Sequence, residues 1–118
     1  MEKRTIVTLP GDGIGKTVLD EAIRVLENAG FSAHYVEADI GWEFWKSEGN
    51  PLPERTIELL EKHRIGLFGA ITSKPKDEAL EELDPKLKNQ GFIYSSPIVG
   101  LRQHFNLDVC IRPCHTYK

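Results

Sequence analysis

The chain has 118 residues, 40% apolar and 28% charged, enough for about one soluble domain with a modest core. A net charge of -3 and a pI near 5.8 argue against a broad nucleic-acid surface, and no apolar run reaches the 18 residues of a membrane span. The apolar stretch after Met1-Glu2-Lys3-Arg4 is too short for a secretory signal, so the expected compartment is the cytoplasm. Cys110 and Cys114 are too few to frame a disulfide scaffold and, even with His115, fall short of a four-ligand zinc pattern; reduced thiols are expected.

In chain order, Thr5 to Leu9 is a short β-branched run that enters the turn Pro10-Gly11-Asp12-Gly13, which predicts a strand. A helix follows with Val18, Ala22, Val25, Leu26 and Ala29 on one face and Gly30 closing it. Phe31 to Ala38 reads as a second strand. Gly41 to Glu48 predicts a short helix that Gly49-Asn50-Pro51 breaks, with Trp42 and Trp45 expected in a core or interface. Pro53 suits the first position of another helix, carried by Ile57 and Leu60 and ending in Lys62-His63-Arg64. Ile65 to Ile71 is a continuous apolar run, suited to a strand covered on both faces.

This alternation predicts an α/β fold, a mainly parallel sheet flanked by helices and joined by right-handed crossovers. Lys74 to Asn89 is the most polar segment, with Leu80, Leu83 and Leu87 at helical spacing, and predicts a surface helix inserted in a loop whose charges form a solvated face. His34, His63 and His104 show no paired spacing.

Three stretches carry candidate chemistry. Gly11-Asp12-Gly13-Ile14-Gly15 joins a strand to a helix, where backbone amides and the helix dipole can meet an anion. The dinucleotide fingerprint needs a glycine at its sixth place, however, and Lys16 stands there; the bland reading is a tight turn with Asp12 as an electrostatic cap. Thr72 and Ser73 leave the carboxyl end of a buried strand, the side on which open α/β sheets bind ligands, although hydroxyls before a proline are also ordinary loop formers. Ser96, Arg102 and Arg112 form the third group. Two guanidiniums and a hydroxyl at a helix start can grip a molecule with several carboxylates, because an arginine fork fixes orientation as well as charge. Against this, Ser96-Pro97 is also what a helix cap and first position look like, Arg102 is compatible with an exposed helix residue, and Arg112 with a strand-end charge held by Asp108.

Four motifs, in order, bring a family into view: Leu9-Pro10-Gly11-Asp12-Gly13-Ile14-Gly15, Gly49-Asn50-Pro51-Leu52-Pro53, Leu67-Phe68-Gly69-Ala70-Ile71-Thr72-Ser73, and Leu101-Arg102-Gln103 through Leu107-Asp108-Val109-Cys110-Ile111-Arg112-Pro113. Together they resemble the β-decarboxylating dehydrogenases, which act on isocitrate, 3-isopropylmalate or homoisocitrate, and they match only the N-terminal third or so of such an enzyme. The resemblance implies the N-terminal part of that fold, which is not a standard Rossmann domain. It also implies oxidation and decarboxylation of a 2-hydroxy acid with NAD or NADP and Mg2+ or Mn2+.

By the same resemblance Ser96, Arg102 and Arg112 bind the small polycarboxylate substrate, and Ile14, Thr72 and Ser73 touch the cofactor near its nicotinamide half. Asp12 belongs to the turn, Tyr117 has no chemical role, and the family's catalytic and metal-binding residues lie outside this chain. Ser96 favours isocitrate, whose third carboxylate needs a donor; Ile98, where many isocitrate enzymes carry asparagine, leaves homoisocitrate and other malate derivatives open. The loop between Ser73 and Ser96 looks longer than in familiar bacterial members. The resemblance divides the chain into residues 1–107, part of the cofactor-side domain, and 108–118, the start of a strand leading to a substrate domain. The expectation is therefore a portion of an enzyme, inactive alone, with open sheet edges that call for a missing C-terminal segment or a homo-oligomeric partner. A non-catalytic anion-binding or interaction module with the same fold is the alternative.

Overall fold

The computed structural model describes residues 3–117. Strand β1 (Arg4–Gly11) is followed by helix α1 (Gly15–Asn28), strand β2 (Ala33–Glu37), helices α2 (Trp42–Glu48) and α3 (Glu54–His63), strand β3 (Gly66–Ala70), and helices α4 (Lys76–Glu81) and α5 (Pro97–His104). The three strands form one parallel sheet in the order β2-β1-β3. The α/β alternation and parallel sheet expected from the sequence are what the chain folds into.

Strand lengths differ from expectation for a reason visible in the pairing. β1 lies in the middle and is paired along both edges, from Arg4↔Ala33 on one side to Gly11↔Ala70 on the other, so it runs two residues past Leu9. β2 meets only β1 and is restricted to Ala33–Glu37, leaving Phe31 outside it and 45% exposed. β3 also has a single neighbour. Its Phe68 is 36% exposed, so the strand expected to be covered on both faces is here a half-open edge.

Alternation along β1 sends Val7 and Leu9 to one face, where they join Ala38, Ile40 and Leu60 of α3, with Leu101 and Phe105 of α5 packed alongside. Ile6 and Thr8, also buried, point to the opposite face, toward α1. The helical stripe of α1 is rotated from the expected one: Leu19 is buried and Ala22, Ile23 and Leu26 half-buried, while Val18 and Val25 are 52% and 68% exposed. The apolar face of α1 is wider than the three-stranded sheet can cover. Gly30, at φ +85°, does close the helix: its amide donates to the Glu27 carbonyl and that of Phe31 to the Leu26 carbonyl, the paired bonds of a Schellman end.

The polar stretch from Lys74 is not one long helix. α4 stops at Glu81, turns fill residues 85–91, and the Asp84 amide donates to the Lys46 carbonyl. Ala79 and Leu83 are buried against Trp42, Trp45 and Tyr94 in a second core cluster, while Leu80 points outward at 37% exposure. The leucine spacing matched a helix, but Pro85 cannot continue one and the two indole rings select Leu83. Nor is the charge run only a solvated face: Glu82 accepts from Trp42 Nε1 (2.6 Å) and pairs with Lys74, whose ammonium lies 5.3 Å from the Trp42 ring centre.

Lys74 first, and Trp42 second, hold the Glu82 carboxyl below the ordinary glutamate range. A carboxylate depressed on folding contributes stability above its unfolded pKa and loses it as pH falls through the lower folded value. Acidification below about pH 4 is therefore expected to change Trp42 fluorescence as the pair breaks. Glu82→Gln should flatten that titration; an identical titration in the variant would contradict the assignment.

Among the described residues the segment expected to begin a strand at residue 108 forms none. Residues 107–117 carry no helix or strand, and Val109 and Ile111 are 73% and 80% exposed. Their apolar alternation has no sheet edge beside it here. Residues 1, 2 and 118 of the expected segments lie outside the described residues.

Candidate active site at the carboxyl end of the sheet

β1 leads through α1 to β2 on one side, and β3 lies on the other side of β1, so the connections diverge at the carboxyl ends of β1 and β3. That is where open parallel sheets form their ligand crevice. The glycine-rich turn and the Thr72-Ser73 exit both lie there.

The glycines are used for close packing. A Cβ on Gly11, which has φ +74°, would lie 1.8 Å from the Ala70 carbonyl oxygen; one on Gly15 would meet the Pro10 oxygen at 2.1 Å, and one on Gly69 the same oxygen at 2.5 Å. Backbone from β3 and from the end of β1 thus packs directly against Gly11 and Gly15 at this turn. The tight-turn reading of this cluster is correct for Gly11 and Gly15. Gly13 alone (φ +54°) has open space beside it, and the next residue, Ile14, is 69% exposed at the head of α1. Ile14 and the exit of β3 thus flank the same glycine turn.

Asp12 ties the crevice together. Its Oδ1 accepts from the Trp42 amide (2.7 Å) and its Oδ2 from the Thr72 amide (2.8 Å), while its own amide donates to the Ala70 carbonyl (2.7 Å). Asp12 caps a helix, as expected of it, but the helix is α2 rather than the adjacent α1: Gly41 at the α2 cap has no side chain to offer, and Asp12 supplies the acceptor from 30 residues away. From the far side Tyr94 Oη donates to the Thr72 carbonyl (3.2 Å). Burial pushes the Tyr94 hydroxyl above its ordinary range against the lowering effect of a hydrogen bond with Ser73, and the nearby Asp12 charge adds to the rise. Tyr94 therefore keeps its proton and acts as a donor. Sequence reasoning found the turn but missed Tyr94, whose local sequence carries no distinguishing signal.

Ile14, Thr72 and Ser73 are thus brought to one end of the sheet. Ser96 follows Tyr94 by two residues and caps α5 in extended conformation (ψ 125°), yet its side chain makes no capping hydrogen bond, so local backbone does not consume the hydroxyl. Arg102 lies further along α5, about 9 Å by helical rise. Ser96, Val99 and Arg102 are three apart and share one diagonal ridge, with Val99 47% exposed between them. Arg102 is exposed, and neither it nor Arg112 makes a side-chain hydrogen bond or ion pair with another described residue, Asp108 included. Arg112 lies in the exposed segment after α5, outside any helix or strand. Among the described residues no three His, Cys, Asp or Glu side chains gather as a metal site, so the residues present do not form one. No helix among them is long and apolar enough to cross a membrane.

Comparison with known proteins agrees with this architecture. The family model described as isocitrate/isopropylmalate dehydrogenase matches residues 5–118. The chain is 45% identical over 109 residues to Protein DlpA of Legionella pneumophila, covering 92% of this chain and 18% of that protein. It is 39% identical over 112 residues to homoisocitrate dehydrogenase of Methanocaldococcus jannaschii (95% and 28%) and 35% identical over 112 residues to 3-isopropylmalate dehydrogenase of Ralstonia nicotianae (95% and 29%). The chain spans less than a third of the length of these curated relatives. With the match running from β1 through the segment that carries Arg112, the chain belongs to the isocitrate/isopropylmalate dehydrogenase family, as an N-terminal portion of it.

Proposed function

We propose that this chain supplies part of the substrate and cofactor sites of an NAD- or NADP-dependent dehydrogenase that oxidises and decarboxylates a 2-hydroxy polyacid. The reading rests on one observation above others: the Ser96 hydroxyl and Arg102 guanidinium stand along one ridge of α5 with no internal partner that accounts for either. Arg102 and Arg112 pair with carboxylates of the acid, and Ser96 donates to a further carboxylate. Ile14, Thr72 and Ser73 lie against the nicotinamide half of the cofactor. Hydride leaves the carbinol carbon for the nicotinamide while the hydroxyl proton passes to a base outside this chain; the bond to the β-carboxylate then breaks, carbon dioxide departs, and the electron pair left as an enolate takes up a proton. A divalent ion, Mg2+ or Mn2+, when bound, supplies polarisation of the hydroxyl and enolate oxygens, with ligands from outside this chain.

Isocitrate, or its homologue homoisocitrate, is the substrate this reading favours, because Ser96 offers a donor for the third carboxylate. Ile98, where an asparagine would favour isocitrate, lines an apolar groove of about 570 Å³ with Leu9, Leu101 and Phe105 and so keeps homoisocitrate and other malate derivatives in play. The second reading, 3-isopropylmalate, draws on the exposed Val99 between Ser96 and Arg102, an apolar surface suited to an isopropyl group.

The deciding experiment is a dehydrogenase assay on the full-length gene product with isocitrate, homoisocitrate and 3-isopropylmalate, each with NAD and NADP. Arg102→Ala is expected to lower kcat/KM for the preferred acid on the order of 100-fold, and Arg102→Lys to recover only part of it, since an ammonium cannot pair both oxygens. Acid binding without turnover would instead support the non-catalytic module. The 118-residue chain alone is expected to reduce neither cofactor.

A further inference from the structure

We propose that Asp12 is the positioning residue of the cofactor side of the crevice: its carboxylate fixes the Thr72-Ser73 segment against the Ile14 turn. This inference rests on the cofactor reading above and adds to it the group that sets the geometry. Asp12 touches no reacting atom. Its two oxygens accept from amides 30 and 60 residues away, Trp42 at 2.7 Å and Thr72 at 2.8 Å, so one side chain joins the glycine turn, the head of α2 and the exit of β3.

The surroundings leave little room for another acceptor. A Cβ at Gly41 would lie 2.5 Å from Asp12 Oδ1, so Gly41, at φ +116°, admits the carboxylate by having no side chain. The Ala70 carbonyl holds the Asp12 amide at 2.7 Å, which fixes the backbone from which the carboxylate reaches out. On the other flank Tyr94 holds the Thr72 carbonyl. Thr72 is thus gripped at its amide by Asp12 and at its carbonyl by Tyr94, which fixes the backbone from which the next residue, Ser73, follows. Both partners of the Asp12 carboxylate are donors. Asparagine at this position must therefore turn an NH2 group toward an N–H, lose one of the two bonds, and release either α2 or the Thr72 segment.

The test uses the full-length gene product and its Asp12→Asn variant. Loss of one amide bond to a charged acceptor is expected to raise KM for the nicotinamide cofactor about tenfold and to leave KM for the polyacid within about twofold, with faster exchange of the Thr72 amide hydrogen. A folded D12N protein whose cofactor KM and Thr72 exchange match the wild type would overturn the positioning role, as would equal rises in both KM values, the mark of general loosening. A wild-type protein that binds neither NAD nor NADP would overturn the cofactor reading and this inference with it. Should D12N fail to fold, exchange in the wild type decides: at least tenfold slower Thr72 exchange at saturating cofactor supports the role, and unchanged exchange overturns it.

Discussion

Gly11→Ala is expected to destabilise the chain by about 4 kcal/mol, which combines about 1–2 for a side chain in the left-handed region with about 1–3 for overpacking. The overpacking has no soft neighbour to absorb it. An alanine Cβ would sit 1.8 Å from the Ala70 carbonyl oxygen and 2.8 Å from its carbon, and these are backbone atoms of the paired strand β3. The β1–β3 ladder must open at its last pair, Gly11↔Ala70, and the Asp12 amide bond to the same Ala70 carbonyl goes with it. Gly13→Ala is the internal control: its φ is +54° but nothing lies within 4 Å of the added Cβ, so only the backbone cost of about 1 kcal/mol should appear. Urea unfolding of the two variants separates the contributions. Equal losses in both would mean that the close approach of β1 and β3 is more elastic than the distances indicate.

That control bears on what the sequence alone could convey. A strand-turn-helix at residues 5–29 was legible because β-branched residues, clustered glycines and helical apolar spacing coincide. The separate tasks of Gly11, Gly13 and Gly15 were not legible, since they depend on where Ala70 lies some 60 residues later. Edge positions were misread for a related reason. Apolar runs at Ile65–Ile71 and in the segment after residue 107 state that something should cover them, without stating that the covering element is within these residues; here Phe68, Val109 and Ile111 are left exposed. The candidate-site residues were proposed from type and motif, whereas the grip of Asp12 and Tyr94 on Thr72 is a product of the tertiary fold.

The same dependence on distant contacts makes Trp45→Ala the second large effect, an expected loss of about 3–5 kcal/mol. Trp45 is 0% exposed and stacks edge-on with Tyr94 at 5.3 Å between ring centres, and its Nε1 donates to the Ala79 carbonyl at 2.7 Å. Truncation removes the filling of the second core cluster and leaves a buried carbonyl at α4 without its donor. The three-stranded sheet has its own core around Val7, Leu9 and Leu60, so damage should concentrate in residues 74–94, whose buried side chains Ala79, Leu83 and Tyr94 pack on the indoles. Amide exchange should therefore accelerate first in α4 and around Leu83, with β1 amides less affected. Trp45→Phe, which keeps an aromatic ring but no N–H, should lose only about 1–3 kcal/mol, the penalty of the unpaired carbonyl together with a smaller cavity. If Trp45→Ala instead loosened β1 and α4 equally, the two clusters would form one cooperative unit. Tyr94, which joins the second cluster to Thr72, would then be the link through which damage to α4 reaches the crevice.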